Sequence, residues 1–247
     1  MASSTKHRPD PIKISGALNP NMGDKTYNIS NSGRNKFPSV EYSLRVRQQP
    51  VAARLCGLGA RDRRVIDPPP IIQLIIKSPN LDQEEIGKQL RDNYYVMSCS
   101  IYDKSGSREE TFVSEEWRQE RQLLGTLVST PFVGKDEHGD EGCFFCFPDL
   151  SCRTPGSFRL KFSLTGIDPA RAREIRRFPV LAEDYSDIFT VYTVEDFPGM
   201  QASTKLVKHL KGQGCIIPIK KGNDRSTNAR EHNHFDDGEE DEDDSLY

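Results

Sequence analysis

The chain has 247 residues and a formal net charge of −3, and its apolar share of 35% is too low for all of it to pack into one core. The length suits one good-sized domain with tails. No apolar run is long enough for a bilayer-spanning helix, and no charged-then-apolar leader opens the sequence, which argues against a membrane or secreted protein.

Residues 1–40 are rich in Ser, Asn, Pro and Gly, lack apolar periodicity and are expected to be disordered. A folded block is expected over 41–223. It opens with "EYSLRVRQQ", where Tyr42, Leu44 and Val46 alternate with Ser43, Arg45 and Arg47, the period of a half-buried strand. "IIQLIIK" (Ile71 to Lys77) is a buried β-branched run that follows three prolines. A short helix is expected near Leu81 to Arg91. "YYVMSCSIYD" places Tyr95, Met97, Cys99 and Ile101 on one face. "GTLVST" is a further short strand, and "CFFCF" is apolar on both faces. "FRLKFSL" turns Phe158, Leu160, Phe162 and Leu164 inward and Arg159, Lys161 and Ser163 outward. Another short helix is expected over Ala170 to Arg177, and then "IFTVYTV" supplies a seventh strand. "STKLVKHLKGQG" reads as a helix with Ser203 or Thr204 as N-cap and Gly212 as its stop. Seven short strands separated by Gly, Pro and Asp predict an antiparallel β-sandwich with small helical inserts and a C-terminal helix.

Charge is distributed unevenly. Residues 236–247 hold eight acids (Asp236 to Asp244) and no Lys or Arg; taking their −8 from the net −3 leaves +5 for residues 1–235. A basic body favours a polyanionic partner, whereas the tail over 224–247 is expected to be disordered and could compete with that partner in cis.

The basic residues concentrate in one place. Arg45, Arg47, Arg54, Arg61, Arg63 and Arg64 fall within twenty residues that contain one acid, Asp62. Arginine's planar fork grips a phosphate, or the O6/N7 edge of guanine, with two parallel bonds. Gly57 and Gly59 hinge the segment, and Pro68 to Pro70 fix its exit. A solvated loop with ordinary charge excess is the alternative. Arg171, Arg173, Arg176 and Arg177 form a second basic cluster, and Lys205, Lys208, Lys211, Lys220, Lys221 and Arg225 a third; each, taken alone, reads as a solvated face.

Six cysteines without a leader are expected to be reduced thiols of a nucleus or cytosol. Cys143 and Cys146 have C-x-x-C spacing, with His138 and Cys152 nearby, but interleaved phenylalanines favour burial over zinc. Esterase, zinc-protease, nucleotide-loop and dinucleotide motifs are absent. No catalytic residue, metal, cofactor or small-molecule substrate is therefore expected.

"RQQPVAARLCGLGARDRRVIDPPPIIQL", "LLGTLVSTPFV", "FFCFPDLSCRTPGSFRLKFSL" and "DFPGMQASTKLVKHLKGQGCIIPIKKG" together resemble the velvet domain of fungal developmental regulators, in order from about Leu44 to Gly222. The short chain resembles the VosA, VelB and VelC types more than the long VeA type. The resemblance implies an immunoglobulin-like sandwich similar to the Rel homology domain of NF-κB-type factors. It further implies sequence-specific binding of double-stranded DNA, pairing with the same or another velvet protein, and a nuclear location with cytoplasmic shuttling. Control of sporulation, development and secondary metabolism is implied too. The strict Rel pattern R-x-x-R-x-R-x-x-C is missing, so base contacts do not carry over residue by residue. The basic run before D-P-P-P carries the DNA role onto Arg61, Arg63 and Arg64, less directly onto Arg54, with Arg45 and Arg47 beside it. A velvet-type interaction module that binds DNA weakly and acts through a partner is the competing expectation.

Overall fold

A computed structural model of the chain describes residues 40–57, 63–91, 94–113, 120–167 and 177–220. The strands run in chain order β1 (Glu41–Gln48), β2 (Ala52–Arg54), β3 (Ile71–Lys77), β4 (Tyr95–Asp103), β5 (Leu123–Leu124) and β6 (Val128–Ser129). Then follow β7 (Phe132–Lys135), β8 (Glu141–Cys146), β9 (Ser151–Cys152), β10 (Gly156–Gly166), β11 (Val180–Tyr185) and β12 (Phe189–Tyr192). Helix α1 spans Gln83–Leu90 and α2 spans Lys205–Gly212. All seven predicted strands are present, and so are the first and last predicted helices. The segment expected to be helical over 170–177 lies almost wholly outside the described residues, as do both predicted tails.

One sheet has the order β1-β3-β8-β7 and a second the order β2-β12-β10-β4-β6, with β11 also pairing β10. The eleven-residue β10 organises the second sheet. Its residues Phe158–Gly166 pair with β4, while its other edge is shared by β12 at Gly156–Phe158 and β11 at Lys161–Thr165. At the join the buried Ser186 stands in for a strand partner: its N–H donates to the Leu160 carbonyl at 2.8 Å and its hydroxyl accepts from the Leu160 N–H at 2.9 Å.

Alternation places the core as predicted. Met97, Cys99 and Ile101 on β4 and Leu160, Phe162 and Leu164 on β10 are buried between the sheets with Leu74, Cys143 and Phe145, and Phe158 packs against them. Each such aliphatic or aromatic side chain contributes roughly 1.5–3 kcal/mol by leaving water. The fold is thus a two-sheet, immunoglobulin-like β-sandwich of the Rel type.

A third layer explains why "CFFCF" is apolar on both faces. Cys143 and Phe145 point into the inter-sheet core, whereas Phe144 and Cys146 point outward into a second cluster with Ile71, Leu206, Val207, Leu210, Cys215 and Ile217. Helix α2 supplies that cover. Thr204 caps it by accepting from the Val207 N–H at 3.2 Å, and its buried stripe is Leu206, Val207 and Leu210. Eight residues are too few for a stable isolated helix, so docking on β8 holds it.

Polar clasps fix the layer in place. The Gln48 side chain donates to the Pro69 carbonyl at 2.6 Å and accepts from the Thr204 hydroxyl at 2.5 Å. Asp67, 2% exposed, accepts from the Gln201 N–H at 2.5 Å and from the Lys220 ammonium at 3.1 Å. The glutamine and the aspartate of the "RQQP…DPPP" frame therefore bind the C-terminal segment to the sandwich.

Candidate nucleic-acid interface

Strand β1 carries Arg45 and Arg47 on the outer face of the first sheet. Arg45 is exposed opposite Gln73. A β-bulge falls between Val46 and Gln48, and the intervening Arg47 reaches sideways across the sheet. Its guanidinium donates to the Gln73 amide oxygen at 2.7 Å, to Asp136 at 3.0 Å and to Glu137 at 3.2 Å, and lies 6.0 Å from the Phe144 ring centre. Only 11% of the side chain is exposed. Alternation set its direction correctly, but outward at this point means toward the β7–β8 hairpin rather than water. Arg47 is a structural residue.

The acids that hold it are themselves fixed. Asp136 accepts the N–H groups of His138 at 2.9 Å and Asp140 at 3.0 Å in the hairpin turn. Burial pushes its carboxyl up, but these N–H groups and the Arg47 guanidinium outweigh it and hold the group below its ordinary range.

At the end of β2, Arg54 is half-buried opposite Tyr192. The chain then leaves through Gly57 at φ +59°, a left-handed conformation that glycine adopts without steric cost. Cys56 N–H donates to the Cys152 carbonyl at 2.9 Å and Gly57 N–H to the Arg153 carbonyl at 3.1 Å, and the Arg153 guanidinium returns a bond to the Gly57 carbonyl at 3.0 Å. Arg153 also donates to the Arg121 carbonyl at 3.0 Å and pairs with Glu120 at 2.7 Å. The buried Cys56 thiol is pushed up by desolvation against the lowering pull of Arg153 and Arg63.

The far end is tied to the same platform. Arg63 Nε donates to the Ser151 hydroxyl at 2.6 Å, and its Nη2 donates to the Asp149 carbonyl. The Asp149 carboxylate in turn accepts the Thr126 N–H at 3.0 Å and the Thr126 hydroxyl at 2.9 Å. Gly125, at φ +115°, lets these groups meet: a Cβ there would lie 2.5 Å from the Asp149 carbonyl oxygen and 2.7 Å from the Arg63 guanidinium. "LLGTL" and "PDLSCR" are thus the platform on which the arginine segment begins and ends. Sequence reasoning missed this role for Asp149, Ser151 and Arg153, because nothing local marks a support for residues some 90 positions earlier.

Between the anchors, residues 58–62, including Arg61, lie outside the described residues. Arg63 is exposed yet already committed to Ser151 and Asp149, and Arg64 is exposed beside it. Of the six predicted contact residues, the structure brings Arg54, Arg63 and Arg64 to the two ends of one segment and sets Arg47 apart.

The other clusters resolve differently. Arg177 is exposed, while Arg171, Arg173, Arg176, Lys221 and Arg225 lie outside the described residues. Lys205, Lys208 and Lys211 line the exposed side of α2, where His209 Nδ1 lies 3.0 Å from the Lys205 carbonyl. Lys220 is occupied by Asp67. Cys143 and Cys146 face opposite sides of β8, Cys152 lies in the inter-sheet core, and the His138 side chain is 71% exposed in the hairpin turn. The four do not converge, and among the described residues no group of three metal-ligating side chains does. Burial pushes the Cys143 thiol to about 12.

Fold and platform together define a Rel-type β-sandwich that presents an arginine-bearing segment at one end and a helix on its outer face. The chain belongs to the velvet family: the velvet factor family model matches residues 42–121 and 112–224. It is 62% identical over 242 residues to the sexual development regulator velC of Gibberella moniliformis, covering 98% of this chain and 52% of that protein. It is 58% identical over 198 residues to the spore development regulator vosA of Beauveria bassiana, covering 80% and 72% respectively. A more distant relative, 27% identical over 274 residues and covering 73% of this chain and 61% of that protein, is velvet complex subunit 2 of Gibberella moniliformis. The chain spans about half the length of the velC relative.

Proposed function

We propose that the chain is a sequence-specific DNA-binding regulator of transcription that acts in the nucleus, paired with itself or another velvet protein, to control fungal development, sporulation and secondary metabolism. The observation that carries this reading is the arginine segment held at both ends on one rigid platform, Gly57 to Arg153 and Arg63 to Ser151. Fixed ends limit the entropy lost when the segment grips a duplex, so more of each phosphate contact is realised as affinity. Arg61 and Arg64 are assigned to the DNA, Arg63 is assigned to both platform and DNA, and Arg54 and Arg45 flank them. Arg47 drops out, because its charge is already neutralised by Asp136 and Glu137. The developmental role rests on the relatives that are named for sexual and spore development.

A second reading, a module that acts chiefly through a velvet partner, draws on an apolar edge. Val51, just before β2 at the edge of its sheet, and Ile188, just before the adjoining β12, are 50% and 48% exposed. One experiment separates the two: selection from random duplex DNA with the full chain, alone and with a second velvet protein. Enrichment of one motif by the chain alone supports direct reading. Enrichment only with the partner supports the module, and no enrichment in either arm contradicts both.

A further inference from the structure

We propose that Cys146 and Cys215 form a reversible disulfide that staples the C-terminal turn of α2 to the four-stranded sheet, a thiol modification site triggered by a peroxide-class oxidant. The two sulfurs lie 3.6 Å apart, in contact, although 69 residues separate them in sequence. Closing to a bond of about 2.05 Å asks the two sulfurs to approach by about 1.5 Å. Both backbones are pinned. Cys146 pairs with Ile71 in the sheet and its N–H donates to the Ser129 hydroxyl at 3.1 Å, while Cys215 N–H donates to the Leu210 carbonyl at 3.0 Å. Gln213 already ties the same turn to β7, donating to the Lys135 carbonyl at 2.7 Å and accepting from its N–H at 2.7 Å.

The surroundings divide the labour between the sulfurs. The hydrogen bond shared with the Cys146 thiol and the nearby Lys211 ammonium lower the Cys215 thiol against the opposing effect of its burial. The same hydrogen bond, together with burial, raises Cys146. Cys215 is therefore the attacking thiolate and Cys146 the resolving thiol. By contrast, the Cys99, Cys143 and Cys152 thiols sit in the inter-sheet core and are pushed up by desolvation.

With hydrogen peroxide the chemistry balances. Cys215 sulfur attacks one peroxide oxygen; an S–O bond forms, the O–O bond breaks, and the departing hydroxide takes the thiol proton to leave as water. Cys146 sulfur then attacks the sulfenic sulfur; the S–S bond forms, the S–O bond breaks, and a second water leaves. Two thiols lose two electrons in all, and one peroxide becomes two waters.

The test treats the reduced, folded full chain with hydrogen peroxide and maps its peptides without reduction. The expected result is a Cys146–Cys215 cross-linked peptide, an intact mass lower by two hydrogens, and a Tm raised by roughly 5–10 °C, all reversed by dithiothreitol. Cys215→Ser and Cys146→Ser should each abolish the cross-link and the Tm shift. Two findings would overturn the proposal: both thiols still alkylatable after peroxide has consumed other cysteines, or a cross-link that forms only once urea has unfolded the chain. The wild-type map decides the matter even if a serine variant folds poorly.

Discussion

The arginine segment and the proline run that follows it are consecutive in sequence, yet different parts of the chain hold them. Residues on either side of 58–62 lean on the platform of Asp149, Ser151 and Arg153, and there Arg64 is exposed. A few residues on, the Pro69 carbonyl accepts from Gln48, and the buried Asp67 carboxylate accepts from Lys220 of the C-terminal segment. Both regions are rich in charge, but Arg63 and Arg64 are exposed while Asp67 is buried. In the second region the buried acid, Asp67, is met by a cation, Lys220, that arrives from far along the chain. Arg47 repeats the lesson on β1: two residues from the exposed Arg45, it is neutralised by Asp136 and Glu137.

The largest effect that tests this contrast comes from the core both regions share. Phe162→Ala should cost about 3–5 kcal/mol, read by urea unfolding, because the ring is fully buried and lies 5.5 Å from Phe147 just before the platform. Removing the inward acid alone, Asp67→Ala, should cost about 3 kcal/mol, the low end for a broken buried pair, since Lys220 is 18% exposed and can turn toward water. Its Tm should fall while the salt dependence of DNA binding by the folded fraction stays unchanged.

Arg47→Ala should cost roughly 1.5–3 kcal/mol through its charged hydrogen bonds, and this loss should depend on pH. Asp136 is held below its ordinary value in the folded protein, so its pairing stabilises fully above about pH 4 and fades as pH falls through the folded value. The stability gap between wild type and Arg47→Ala should accordingly be full near neutrality and begin to narrow only as pH falls below about 4, as followed by denaturation at a series of pH values. Smallest in stability is Arg64→Ala, within about 0.5 kcal/mol of wild type, although it is expected to weaken DNA binding.

How much of this was legible in the sequence follows from the range of each interaction. Strands β1, β4 and β10 announce themselves because each packs one apolar face against the core, so alternation is strong. Strands β2, β5 and β9 are two or three residues long, too short for any period to register. Strand β11 buries only Ala182 and escaped notice for that reason. The N-cap of α2 and the double-faced apolarity of β8 were visible; that one explains the other was not, since the helix and strand lie some sixty residues apart. At the site, the clustering of arginines and their glycine hinge could be read locally. Which arginines are already employed could not, because Ser151, Asp149 and Asp136 arrive from 86 to 89 residues away.

The central claim is that exposed arginines of the platform-held segment carry the DNA contact while Arg47 does not. The direct measurement is the slope of log K against log salt for duplex binding by wild type, Arg61→Ala/Arg64→Ala and Arg47→Ala, each first shown to be folded. At about 0.9 per phosphate contact, the double variant should lose roughly two units of slope and most of its affinity, and folded Arg47→Ala should keep the wild-type slope. A wild-type slope in the double variant, or a slope lost in Arg47→Ala, would contradict the account.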